Sequence, residues 1–207
     1  MAAVQRPLID SFKRIGQTIH HLNQYRQASW FLVAYFFYID GVDTIFTMAT
    51  SIGKDIGVQT TTLMVVLLVV QLIAFPFSIL YGYLAQRFST RAMLLVGIVV
   101  YLFICIYAYW LHSLRDFWLL AILIGTSQGG IQALSRSYFG RLIPKSSSSE
   151  FFGFYNILGK FSAIIGPLLV GIVTQLSGQS TIGAASLSVL FLIGLIIFIY
   201  LPKLSEE

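Results

Sequence analysis

Six apolar stretches, each long enough to cross a bilayer, occupy nearly all of the chain from Ser29 onward, and most charged residues fall in the gaps between them. A run of about 20 apolar residues spans the hydrocarbon core as one helix. Helices are therefore predicted near 29–51, 61–86, 91–111, 116–142, 151–176 and 182–201. The fold class that follows is an all-α membrane protein with six transmembrane helices. Only 10% of the residues are charged and the mean hydropathy is +0.83. Soluble domains carry about 25% charged residues, so no water-soluble domain is expected. The chain divides into a tail over 1–28, a membrane domain over 29–202 and a short tail over 203–207.

Charge orients the bundle. Arg6, Lys13, Arg14, Arg26, Arg87, Arg91, Arg136, Arg141, Lys145 and Lys203 fall on one side, and only Lys54 and Arg115 on the other. Basic residues near helix ends stay in the cytoplasm, so both termini are expected there, in a multi-pass protein of the cell membrane. Topology thus accounts for the net charge of +5. Nucleic-acid binding is excluded, because it needs a basic water-exposed surface. The first apolar run follows a long polar tail and is too long for a cleavable signal, so it is read as a retained helix. Within the tail, Leu8, Phe12, Ile15, Ile19 and Leu22 recur at steps of three and four with Lys13, Arg14 and Gln17 between them. That pattern predicts an amphipathic helix lying on membrane lipids.

Polar residues inside apolar helices are costly and mark a bundle interior or a wet cavity. Here they are Asp40 and Asp43 on helix one, Gln71 on helix two, Gln128, Gln132 and Arg136 on helix four, and Asn156 and Lys160 on helix five. Within each of helices one, four and five these residues are three or four apart and share a face. Helices one, two, four and five are expected to line a polar centre, while three and six face lipid. At about 1.5 Å per residue, Asp40 and Lys160 both lie ~15 Å from the cytoplasmic ends and are expected to meet. Such a pair reads either as a static ion pair or as a site completed by a proton, ion or solute; two acids with fewer cations at their depth favour the second. Arg136, nearer the inner surface, is expected to have a structural or gating role.

Small residues at steps of four, Gly125, Gly129, Ala133 and Ser137 on helix four and Gly159, Ala163, Pro167 and Gly171 on helix five, allow close helix packing in lipid. Pro76 and Gly166-Pro167 can bend their helices. Cys105 reads as packing filler. His20, His21 and His112 lie outside the spans, and no zinc, serine-hydrolase or paired-cysteine motif occurs. Neither an enzyme, a metal site nor a cofactor is indicated.

The segments YFFYIDGV (35–42), QGGIQALSRSYF (128–139) and EFFGFY (150–155), with Gly166-Pro167, resemble the C-terminal half of the vacuole-effluxer-like branch of the major facilitator superfamily. GYLAQRFSTR (82–91) is similar to the superfamily's loop motif between helices two and three, with Gly82, Arg87 and Arg91 as gating or structural residues and Gln86 where an acid is usual. The resemblance implies half of a major-facilitator-type bundle, built of two inverted three-helix repeats, with solute bound between two such halves. It further implies secondary transport of a small polar solute, such as an amino acid or another metabolite. Asp40, Asp43, Gln128, Gln132, Asn156 and Lys160 are then the candidate solute- or ion-binding residues. One half cannot enclose a pathway, so either a homodimer forms or the chain is part of a longer transporter. A non-transporting membrane scaffold or partner subunit is the alternative.

Overall fold

A computed structural model describes residues 24–202. The predicted tail helix, most of the 1–28 segment and the 203–207 tail lie outside the described residues. Four spans are unbroken helices: α1 (Arg26–Asp55), α2 (Thr60–Arg87), α3 (Thr90–Ala108) and α4 (Leu114–Leu142). The fifth span follows a short 3-10 turn (Lys145–Ser147) and consists of two pieces, α5 (Ser148–Ser162) and α6 (Ile165–Ser177). The sixth likewise divides into α7 (Ser180–Ser186) and α8 (Ser188–Tyr200). All six spans are long and apolar enough to cross a membrane, and the protein is a multi-pass membrane protein.

Local chemistry sets the helix ends. Ser113 and Asp116 close a capping box at the start of α4: the Asp116 amide donates to Ser113 Oγ (3.2 Å) and the Ser113 amide to Asp116 Oδ2 (3.0 Å). Tyr107 at the end of α3 donates to the same carboxylate (3.3 Å) and ties the end of α3 to the start of α4. Ser89 caps α3 through the Ala92 amide. The break in span five sits where Pro167 demands it. Its ring lacks an N–H and crowds the carbonyl four residues back, that of Ala163, where helical geometry is lost. Pro76, in contrast, stays inside a continuous α2.

Packing explains which glycines matter. On α4, a Cβ at Gly129 would stand 2.8 Å from the Ala74 carbonyl oxygen, and one at Gly130 would overlap the Tyr81 ring. α2 and α4 therefore approach at the close range that small residues permit. Gly130→Ala is expected to cost about 1–3 kcal/mol through overpacking. It should lower the thermal midpoint in detergent, whereas Gly82→Ala, whose added carbon meets nothing within 4 Å, leaves the midpoint in place. Equal midpoints for the two variants would refute this account of the α2–α4 contact.

α1 is the hub. Gly41 accommodates Phe191 of α8, and Tyr38 shares a buried 2.7 Å hydrogen bond with Ser135 of α4. One or two turns away, Phe31, Tyr138, Phe139 and Phe198 form an aromatic cluster. Cys105 is fully buried. The second half of span five and the first half of span six form a hairpin: α6 ends at Gly178, which adopts a left-handed φ of 72°, and Gly183 of α7 packs on Val170 and Thr174.

The expected division of spans into cavity-lining and lipid-facing needs correction. α3 and α8 do expose apolar rows such as Val96, Val99, Phe103 and Leu192, Ile196, Ile199. However, α2 exposes at least as much, through Met64, Leu68, Leu72, Phe75 and Ile79, and α6 exposes Leu168, Ile172 and Leu176. Gln71 points out among these residues rather than into a polar centre. Lipid and a partner helix both accept apolar side chains, so hydropathy cannot separate the two kinds of face.

Candidate functional site

The polar residues gather at two places, one inside the bundle and one on its open face. The inner one is Asp40, only 1% exposed. A buried carboxylate requires hydrogen-bond partners, and the break in span five supplies one. The Gly166 amide, left without an intrahelical acceptor at the start of α6, donates to Asp40 Oδ2 at 2.7 Å. Thr44 Oγ1 donates to Oδ1 at 3.3 Å. The carboxylate thus caps the positive end of a half-helix from another span. Position 166 must be glycine for this to occur, because a Cβ there would overlap Thr44 Oγ1 and come within 2.8 Å of Asp40 Oδ1.

The expected meeting of Asp40 with Lys160 does not take place. Lys160 is exposed in the last turn of α5, and no ion pair joins the two among the described residues. Rise per residue fixes depth but not azimuth, and the freed Gly166 amide takes the position the ammonium was expected to hold.

The outer place is a groove of about 270 Å³ between α1, α4 and α5. Its walls are Asp43 and Ile39 from α1, Gln132 and Arg136 from α4, and Asn156 and Gly159 from α5, with Tyr35 and Tyr155 as an aromatic floor. The two tyrosine rings stack at 4.3 Å and 23°, and Tyr155 also stacks on Phe139 at 5.1 Å. Gly159 allows this, since a Cβ would stand 3.0 Å from the Tyr35 hydroxyl. The Arg136 guanidinium lies 5.4 Å from the centre of the Phe152 ring, a cation–π arrangement that holds its plane. Arg136 thus lines the groove. No ion pair joins it to Asp43 among the described residues, so each charge is available to a third party.

Asp40 and Asp43, three residues apart, are divided between the two places: Asp40 turns toward α6 and Asp43 toward the groove. Gln132 and Asn156 join Asp43. Gln128, one turn from Gln132, lies outside the groove lining, with Oε1 buried and unpartnered. In the loop motif, Gly82 is half-buried and Arg87 exposed. Arg91 donates to the carbonyls of Phe198 (3.3 Å) and Ile199 (2.8 Å) and stands 5.7 Å from the Phe198 ring centre. Clasping the last turn of α8 is a structural task, favoured by the partial negative charge of a helix C-terminus.

Sequence reasoning missed Tyr35, Tyr155, Thr44 and Gly159. A signal for the first was present: Tyr35, Ile39 and Asp43 are spaced by four and share one helical stripe with the acid. The described residues hold no group of three His, Cys, Asp or Glu side chains arranged for a metal.

Residues 2–205 match the family model described as Vacuole effluxer Atg22 like. The Bacillus subtilis (strain 168) protein named Uncharacterized MFS-type transporter YxiO is 55% identical over 196 residues, covering 95% of this chain and 46% of that protein. Autophagy-related protein 22 of Saccharomyces cerevisiae (strain ATCC 204508 / S288c) is 33% identical over 181 residues, covering 81% of this chain and 33% of its own length. Autophagy-related protein 22-1 of Penicillium rubens is 27% identical over 203 residues, 91% of this chain and 34% of its own. The chain therefore spans from a third to just under half of the length of these relatives.

Proposed function

Because the chain belongs to the vacuole-effluxer-like branch of the major facilitator superfamily, we propose that it is one half of a secondary transporter whose groove binds a small polar solute bearing both a cationic and an anionic group. The observation that carries this reading is the convergence of Asp43 and Arg136, unpaired with each other, beside Gln132 and Asn156. An ammonium suits Asp43, a carboxylate suits the planar fork of Arg136, and the two amides serve the remaining hydrogen bonds. An amino acid fits this chemistry, and about 270 Å³ lies just below the usual range for drug-sized ligands.

Asp40 belongs to the moving part of this proposal. Transporters of this kind build sites from discontinuous helices whose N-terminal ends meet negative charge, and the Asp40–Gly166 contact has that form. A change in the charge of Asp40 alters the hold on α6, which links proton or ion binding to conformation.

The open groove needs a facing half, and a second copy related by an axis along the membrane normal provides it, in the cell membrane with both termini cytoplasmic. Helix four supports this arrangement: Gly125 and Gly129 are used against α2, while Ala133 and Ser137 further along the same stripe remain exposed. A second reading, favoured by the greater length of the relatives, is that the facing half is another segment of a longer chain.

The test is single-cysteine cross-linking in a Cys105→Ala background, combined with amino-acid flux in proteoliposomes. Ala133→Cys and Ser137→Cys are expected to cross-link between copies, and Val99→Cys and Ile196→Cys are not. Cross-linking only through 99 or 196 would reject the homodimer. Absence of flux for every amino acid, from uncross-linked protein shown to be dimeric by the cross-linking at 133, would reject transport and favour a scaffold.

A further inference from the structure

At the cytoplasmic end of the bundle, away from the candidate site, the first turns of α1 and the last turns of α8 line a second groove of about 640 Å³. Its lining combines the apolar Ile196, Ile197 and Leu201 with the cation Arg26 and the aromatic rings of Trp30 and Tyr200. Trp30 is 50% exposed and Tyr200 84%. Amphipathic aromatic rings of this kind sit at headgroup level, which locates the groove where acyl chains give way to phosphates. Any occupant there meets hydrocarbon below and a charged boundary above.

Among the described residues that line the groove, Arg26 is the charged one. Arg26 is exposed in the first turn of α1 and has no ion-pair partner among the described residues. The nearest acid on α1, Asp40, is about 21 Å further along the axis at 1.5 Å per residue and is already engaged with Gly166. α8 contributes no charged side chain, and the guanidinium of Arg91 is bonded to the carbonyls of Phe198 and Ile199 at the same end. We propose that this groove is a binding site for one anionic phospholipid of the cytoplasmic leaflet, with the headgroup phosphate on Arg26 and an acyl chain along Ile196, Ile197 and Leu201 between the Trp30 and Tyr200 rings. Basic residues at the cytoplasmic surface select anionic over zwitterionic headgroups. The apolar floor selects a lipid over a soluble phosphate, because only a lipid fills it.

Trp30 serves as the reporter. With Trp110→Phe and Trp118→Phe it is the remaining indole of the chain. The full-length protein is placed in phosphatidylcholine nanodiscs containing increasing fractions of a bromine-labelled acyl phospholipid, with either a phosphatidylglycerol or a phosphatidylcholine headgroup. Half-maximal quenching of Trp30 is expected at about a fivefold lower fraction of the phosphatidylglycerol, the preference that one basic contact confers. Arg26→Gln is expected to bring the two curves together, and soluble glycerol phosphate to leave both unchanged. Coincident curves in the Arg26 protein would overturn the proposal, since Trp30 would then see only bulk lipid. A preference that survives Arg26→Gln would overturn the assignment of the phosphate contact. Displacement by soluble glycerol phosphate would overturn the lipid in favour of a free anion.

Discussion

Proteoliposomes carrying Asp40→Asn are expected to lose pH-driven flux by at least about tenfold while the protein remains folded. The carboxylate is 1% exposed and accepts the Gly166 amide at 2.7 Å, a charge-assisted bond of the kind that contributes about 1.5–3 kcal/mol. Asparagine keeps an acceptor oxygen for that amide and fits the same space, so α6 keeps its cap. It cannot gain or lose a proton, and the alternation between a charged and a neutral cap is gone. Asp40→Ala differs in kind. It leaves the Gly166 amide buried and unpaired at a cost of about 1–3 kcal/mol, so its thermal midpoint should fall well below that of Asp40→Asn. Lys160→Gln is not expected to rescue either variant, because Lys160 does not touch the carboxylate. Normal pH-driven flux from Asp40→Asn would remove the coupling role, and loss of folded Asp40→Asn protein would make the contact structural only.

Groove substitutions should dissociate by solute. Arg136→Gln removes the guanidinium that stands over Phe152 at 5.4 Å. It is expected to raise KM by about tenfold or more for a solute with a carboxylate, a figure matching the loss of a hydrogen bond to a charged group. The corresponding amide solute, without the carboxylate, should be taken up alike by Arg136→Gln and the parent. Asp43→Asn is expected to show the mirror pattern, with weaker uptake of the amine-bearing solute and little change for its des-amino counterpart. Arg136→Lys keeps the charge but not the planar fork, and its KM should fall between those of the parent and Arg136→Gln. If all solutes weakened equally in both variants, Asp43 and Arg136 would be holding the bundle rather than the cargo.

The six spans were legible because bilayer thickness dictates run length, and the ends observed lie within a few residues of those expected. Side of approach was harder. Spacing placed Asp40 and Asp43 on one face, yet three residues turn a helix by about 300°, and the difference of about 60° sends one acid to α6 and the other to the groove. Pro167 signalled a bend, but that the bend would free the Gly166 amide for Asp40 depends on two segments 126 residues apart, which no local pattern encodes. Tyr35 and Tyr155 entered only within the segments YFFYIDGV and EFFGFY, because the stacking that joins them across spans leaves no mark in either span alone. Helix two was expected to line a polar centre because of Gln71, yet it exposes Leu68, Leu72 and Phe75, since lipid and protein accept the same side chains.

The hairpin of α6 and α7 lies between two interruptions, at Ala163–Ile164 and at Leu187, and the hydrogen bond from Gly166 to Asp40 ties it to α1. Geometry makes it a lever. Its 13-residue arm is about 20 Å long, so a rotation of about 10° at the break, small enough to leave Gly166 near its anchor, carries the Gly178 turn through about 3 Å. A change confined to a single hydrogen bond deep in the bilayer is thereby magnified into a displacement at the opposite surface of the bundle, without unfolding any helix or sliding one span past another.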